Sequence, residues 1–167
     1  MNIDIYLQKT NKTYKTKYGI PFQCVELIRR FFCTIKGISF PDVTDAVDFF
    51  NKINSFYLLK NPSKTIGLKT FSYPYSHTYS YYLKPGSILF YKYKTNYPDG
   101  HVALILDSTD KETILIQQNL NPPIKIYKTQ ELFEKINCPK SRFLGLKRLP
   151  NKYTSNIKNV KCTIVKI

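Results

Sequence analysis

Apolar positions recur with a helical period early in the chain and in short, turn-bounded runs later. Val25, Ile28 and Phe32 fall at i, i+3 and i+7, and Leu27 with Phe31 widens the stripe, so the spacing predicts a helix over Gln23 to Phe32. Glu26 and Arg30, four apart, pair on its solvated side. Gly37 stops this helix, and after Pro41 a second helical face runs through Val43, Ala46, Val47, Phe50 and Ile53, with Asp42 or Thr44 as cap. From Tyr57 to Pro85 neither period holds, and the Tyr-rich segment 72–82 reads as an irregular crossing in preference to a ligand-facing aromatic loop. Turns at Pro85-Gly86 and Pro98-Asp99-Gly100 introduce strands over 87–93 and 101–107. Further strands are predicted over 113–119, 124–127 and 143–149, with a short helix over 130–136. Helices first and an antiparallel strand run afterwards indicate an α+β domain.

No repeat or low-complexity linker divides the 167 residues, which suit one domain. Residues 1–17 read as a loosely packed basic arm, 18–150 as the domain, and 151–167 as a basic tail packed on or extending it. The apolar runs, such as Val102 to Leu106, reach about a quarter of the roughly 20 residues that a membrane helix needs. The N-terminus shows no apolar segment of a secretory signal, so the reading is cytoplasmic, in a cell or in the host of a large virus, with four free thiols. The net charge of +15 comes mostly from lysine, and from Lys135 onward nine basic residues meet no acid. Such a surface attracts polyanions without sequence preference and in a salt-sensitive way.

Of the four cysteines, Cys24 alone opens a predicted helix. The helix dipole favours thiolate there, so Cys24 is expected to alkylate first near pH 6, and free N–H groups of the same turn can hold an oxyanion. His101 begins one predicted strand and Gln117 ends the next. If residues 108–110 form the hairpin loop, cross-strand partners sum to 218, and His101 stands directly opposite Gln117. A histidine held by a carbonyl oxygen has the single tautomer that a general base requires. Alone, each of these residues equally suits a structural role.

Together they carry a resemblance. Tyr18-Gly-Ile-Pro-Phe-Gln-Cys-Val-Glu-Leu-Ile-Arg-Arg-Phe-Phe32 resembles the nucleophile segment of the CHAP cysteine amidases, nearest to the amidase domain of glutathionylspermidine synthetase/amidase and trypanothione synthetase. Gly100-His-Val-Ala-Leu-Ile105 is similar to that family's Gly-His-Val-Ala segment, and Gln117-Gln-Asn119 to its Glu-Gln-Asn, sixteen residues after the histidine. The resemblance spans roughly residues 18–149. It implies a papain-like fold without cofactor or metal, Cys24 as nucleophile and His101 as base. It also implies an oxyanion hole from Gln23 and the Cys24 amide, and substrate contacts from Arg29 and Asn119. Gln117 replaces the family's glutamate, so it can orient His101 but cannot stabilise an imidazolium by charge.

Three functions follow as expectations. The first is an amidase acting on glutathionylspermidine or a related γ-glutamyl peptide conjugate. The second is a peptidoglycan amidase or endopeptidase. The third is a catalytically degenerate CHAP fold kept as a structural or polyanion-binding protein.

Overall fold

The computed structural model describes residues 1–6, 16–20, 23–75, 78–92, 99–138 and 142–165. The elements in order are β1 (Asn2–Tyr6), α1 (Cys24–Lys36), β2 (Ile38–Ser39), α2 (Ala46–Lys52), β3 (Ser55–Leu58), β4 (Asn61–Gly67), β5 (Lys69–Phe71), α3 (Tyr79–Tyr82) and β6 (Ser87–Tyr91). They continue with β7 (His101–Ser108), β8 (Glu112–Ile116), β9 (Ile124–Lys128), α4 (Thr129–Ile136), β10 (Phe143–Arg148), α5 (Asn151–Thr154), a 3₁₀ turn (Ile157–Asn159) and β11 (Lys161–Val165). The protein is α+β, as its pattern predicts. Six strands form an antiparallel sheet in the order β5-β10-β6-β7-β8-β9, beside a three-stranded sheet β2-β3-β4 and a parallel pair β1-β11. No described helix is long and apolar enough to cross a membrane.

Both faces of the large sheet are covered, which is why its strands read as apolar runs and not as alternating ones. Ile88, Phe90, Val102, Leu104 and Ile116 pack toward α1, whose Leu27, Ile28, Phe31 and Phe32 are fully buried. Leu89, Ile105, Leu115 and Leu146 face the other way, against Leu132 and Ile136 of α4 and the rings of Tyr75 and Tyr82. Tyr75 and Tyr82 of the Tyr-rich segment are therefore packing material, whereas Tyr73 and Tyr81 are exposed, and Ser76 and His77 lie outside the described residues.

Several expectations are corrected. The basic arm begins with a strand, whose Ile3 and Ile5 reach the core and whose backbone pairs with β11 from Asn2↔Lys161 to Tyr6↔Val165; its residues 7–15 lie outside the described ones. Two β-branched residues at alternate positions suffice to anchor a strand on one side. The first helix runs on to Lys36 and closes on Gly37, which takes φ 62°. The second is capped by Asp45, whose carboxylate accepts from the Asp48 N–H at 2.8 Å, and not by Asp42 or Thr44. The segment 57–85, unreadable by period, supplies half of β3 and all of β4, β5 and α3. Tyr93 and Pro98, at the ends of predicted elements, lie outside the described residues.

Candidate active site

A cleft of about 610 Å³ opens where the N-terminus of α1 meets the start of β7, and Gln23, Cys24, His101 and Asn119 all line it. Each reaches it for a local reason. Gln23 is extended at the N-cap of α1 and offers its side chain to no helix N–H, so the first-turn amides remain without an internal cap. Backbone N–H groups of Val102, Val25 and Cys24 itself act on the Cys24 thiol. The sulfur thus sits against the residue that follows His101. Gly100 leads into β7 at φ 65°, and a Cβ there would stand 2.7 Å from the Tyr91 carbonyl oxygen. Only glycine allows this tight entry, and the preceding Asp99 carbonyl accepts from the Ala46 and Val47 N–H groups at the start of α2.

The His101–Gln117 contact forms, though through a different register. The β7–β8 partners are Leu104↔Ile116 and Ile105↔Leu115, and their shared sum of 220 replaces the expected 218. A two-residue slip preserves the face, and β8 ends at Ile116, so Gln117 reaches His101 from beyond the ladder. His101 Nε2 lies 3.3 Å from Gln117 Oε1. The Gln117 Nε2 group donates to the Pro122 carbonyl at 2.8 Å, which turns the amide oxygen toward the ring. Because that oxygen only accepts, Nε2 carries the imidazole proton and Nδ1 the lone pair.

Burial sets the protonation states. Desolvation pushes the Cys24 thiol up to about 11, against backbone hydrogen bonds that lower it. The expected thiolate at the helix N-terminus is therefore corrected: the thiol, 9% exposed, loses more from lost water than it gains from the dipole. Desolvation likewise pushes His101 down to about 4, with Gln117 opposing and Lys125 assisting the shift. At neutral pH both groups rest uncharged.

The remaining predicted residues hold the site together. Asn119, at φ 68°, donates from Nδ2 to Gln23 Oε1 at 3.1 Å. This leaves the Gln23 Nε2 group as the donor facing the cleft; it makes no hydrogen bond among the described residues. Asn119 thus orients Gln23 while itself lining the cleft. Arg29 lines the cleft too, yet its guanidinium is engaged: Nη1 donates to the Tyr18 carbonyl at 3.0 Å and meets Asp42 at 2.8 Å, and Nη2 donates to the Pro41 carbonyl at 2.9 Å. It ties the 16–20 turn and the 41–42 loop to α1 while still lining the cleft, and its buried Nε has no hydrogen-bond partner among the described residues. Pro21 and Phe22 of the nucleophile segment lie outside the described residues.

The burial of Glu26 and the role of Gln118 escaped the sequence reading. Glu26 does pair with Arg30, at 2.7 Å, but buried at 5% exposure and not on a solvated side. Between this pair and the β8 end lies Gln118, fully buried. Its Nε2 donates to Glu26 Oε2 at 2.9 Å and to the Gln23 carbonyl at 3.0 Å, while Oε1 accepts from Arg30 Nη2 at 3.0 Å and from the Tyr6 N–H at 3.2 Å. Only the adjacency of two glutamines in a motif hinted at it.

The comparisons with known proteins are sparse. No family model matches the chain, and no curated protein does. Among solved structures, the chain is similar to the crystal structure of Ly7917, with 13% identity, a TM-score of 0.48, and coverage of 78% of this chain and 54% of that one. It is similar also to the crystal structure of Ly7917 with the hydrolyzing product of MDP, with 14% identity, a TM-score of 0.48, and coverage of 78% and 55%. The chain spans about half the length of the structures it matches.

Proposed function

We propose that this protein is a cysteine amidase of papain-like design, hydrolysing an amide through an acyl-enzyme at Cys24. The observation that carries the reading is the cleft that Cys24 and His101 line together, with the Pro122–Gln117 pair assigning the imidazole proton to Nε2 and so the basic lone pair to Nδ1. Moving the proton from a thiol at about 11 to an imidazole at about 4 costs on the order of 10 kcal/mol before the charges attract. A contact ion pair near 4 Å regains roughly 4 kcal/mol. Proton transfer therefore accompanies attack: Sγ bonds to the carbonyl carbon as Nδ1 takes the thiol proton, and the same proton passes to the leaving amine. The developing oxyanion is met by the Cys24 N–H and the Gln23 Nε2 group. Water then cleaves the thioester with His101 as base.

The charge of the cleft favours an amine-bearing substrate. The chain has 11 acids against 26 bases. Yet among the described residues that line the cleft, Glu26 is paired with Arg30 and Arg29 with Asp42, which leaves Asp45 and Asp99 as carboxylates without an ion-pair partner there. A cationic leaving group such as spermidine gains there what the rest of the surface denies it. With the resemblance to the glutathionylspermidine amidases, this charge favours glutathionylspermidine or a related γ-glutamyl conjugate as substrate.

The test is incubation of the protein and its Cys24→Ala variant with glutathionylspermidine and, separately, with muropeptides, followed by mass detection of products. Cleavage of the first by wild type alone supports the reading. Cleavage of muropeptides alone replaces it with a peptidoglycan hydrolase, and no cleavage of either returns it to a degenerate fold.

A further inference from the structure

Behind the His101–Gln117 pair lies a second cavity, of about 180 Å³, with both residues in its wall. Its chemistry is opposite to that of the main cleft. Lys92, Lys125 and Arg142 line it, and no acid does among the described residues. These cations come from three places: Lys92 follows β6, Arg142 precedes β10, and Lys125 lies on β9. The Lys92 N–H donates to the Arg142 carbonyl, which holds two of the three stems side by side. None of the three makes an ion pair among the described residues. Three like charges around one concavity repel one another and gain from a shared counter-ion. The volume takes roughly six waters at about 30 Å³ each, enough for one carboxylate or tetrahedral oxyanion with its solvent.

We propose that this cavity binds a small oxyanion group, a carboxylate or a sulfate-like ion, against Lys92, Lys125 and Arg142, and that the bound charge is felt by His101. The coupling follows from position. The titratable groups around the ring are Cys24 and Asp45 on the cleft side, and Tyr91, Lys92, Lys125, Tyr127 and Arg142 on the cavity side. Lys125 already disfavours the imidazolium. An anion beside Lys125 offsets that field and makes Nδ1 a stronger base. The same chemistry has two sources, the acyl-side carboxylate of a substrate that spans from the cleft, or a free ion acting as regulator.

The test uses the full chain carrying Cys24→Ala, so that it is independent of any turnover and fails separately from the amidase reading. Only two histidines are present, so a His77→Gln control assigns the imidazole signals. Sodium sulfate is titrated at pH 5, about one unit above the folded His101 value so that a rise in basicity shows as protonation, against sodium chloride of equal ionic strength. The expected result is a saturable shift of the His101 signal with sulfate and none with chloride. Lys125→Gln and Arg142→Gln should each weaken it about tenfold, the usual scale for losing one charged hydrogen bond. A response that does not saturate, that chloride reproduces, or that both variants retain at full affinity overturns the proposal and assigns the effect to the diffuse field. Competition by glutathione but not by its dimethyl ester assigns the site to a substrate carboxylate. Sulfate binding that glutathione leaves untouched assigns it to a free ion.

Discussion

Replacing Gln117 by Glu changes few atoms and exposes the logic of the site. The carboxylate would stand where Oε1 now lies, 3.3 Å from His101 Nε2. At an effective dielectric near 20, a unit charge about 4 Å from the imidazolium is worth roughly 4 kcal/mol, or about three pH units. Part of this is lost because position 117 is 2% exposed and the new charge must itself be desolvated. We expect His101 to move from about 4 to about 6, near an ordinary histidine. The second carboxylate oxygen, however, inherits the place of Nε2, 2.8 Å from the Pro122 carbonyl, where a donor is required. That loss should cost about 1–3 kcal/mol of stability at pH 7. The assay is the imidazole titration by NMR together with urea unfolding at pH 7 and pH 4.5. The variant should be weaker than wild type at pH 7 and should lose less on acidification. An unchanged His101 titration would refute the contact, and undiminished stability at pH 7 would refute the role of Pro122.

Other consequences are simpler to read. His101 is held neutral, so between its unfolded pKa near 6.5 and its folded value of about 4 the unfolded chain binds the extra proton; stability should fall by about 3 kcal/mol as pH drops through that window, and His101→Gln should flatten the denaturation profile. With Cys24 at about 11, the thiolate fraction at pH 7 is about one in ten thousand, so iodoacetamide on the resting protein should label the exposed Cys138 first; peptide mass spectra showing Cys24 first would overturn the burial argument. Ile5 is fully buried, so Ile5→Ala should cost about 2–5 kcal/mol in urea unfolding, whereas a loose arm would lose nothing. Retention on heparin should vanish by about 0.5 M salt and should not depend on Cys24, because it arises from the +15 charge and not from the cleft.

What could be read from the chain follows from which forces are local. The α1 stripe and the strand runs bury apolar faces, and burial leaves a periodic trace, so those elements stand close to their predicted bounds. β3 to β5 leave none: β4, for instance, buries only Ile66 among seven residues, and its pairing comes from a turn at Leu59–Lys60. The register of β7 with β8 shifts between Ile105 and Asp107, and an irregularity of that kind has no mark in the sequence. Thiol burial was equally invisible. A helix N-terminus can be located from a pattern, but whether water reaches it depends on segments distant in sequence.

The segment 117–119 shows why the site residues were easier to name than to assign. β8 stops at Ile116, and three consecutive amides then turn in three directions. Gln117 meets His101 and Pro122, Gln118 meets α1 and β1, and Asn119, in the left-handed region, meets Gln23. One short stretch thus sets the tautomer of His101, the seating of the helix that carries Cys24, and the orientation of the Gln23 amide. Charge would serve poorly at the buried middle position. Gln118 donates twice and accepts twice, which neither a carboxylate nor an ammonium can do. A neutral residue at 117 fits the same logic. Glu26 already supplies the anion that Arg30 needs, and a second buried carboxylate beside the Pro122 carbonyl would lack a donor. The glutamine at 117 is then a consequence of how this segment is wired, and under the proposed function the proton of Cys24 would pass to an imidazole that stays uncharged until substrate arrives.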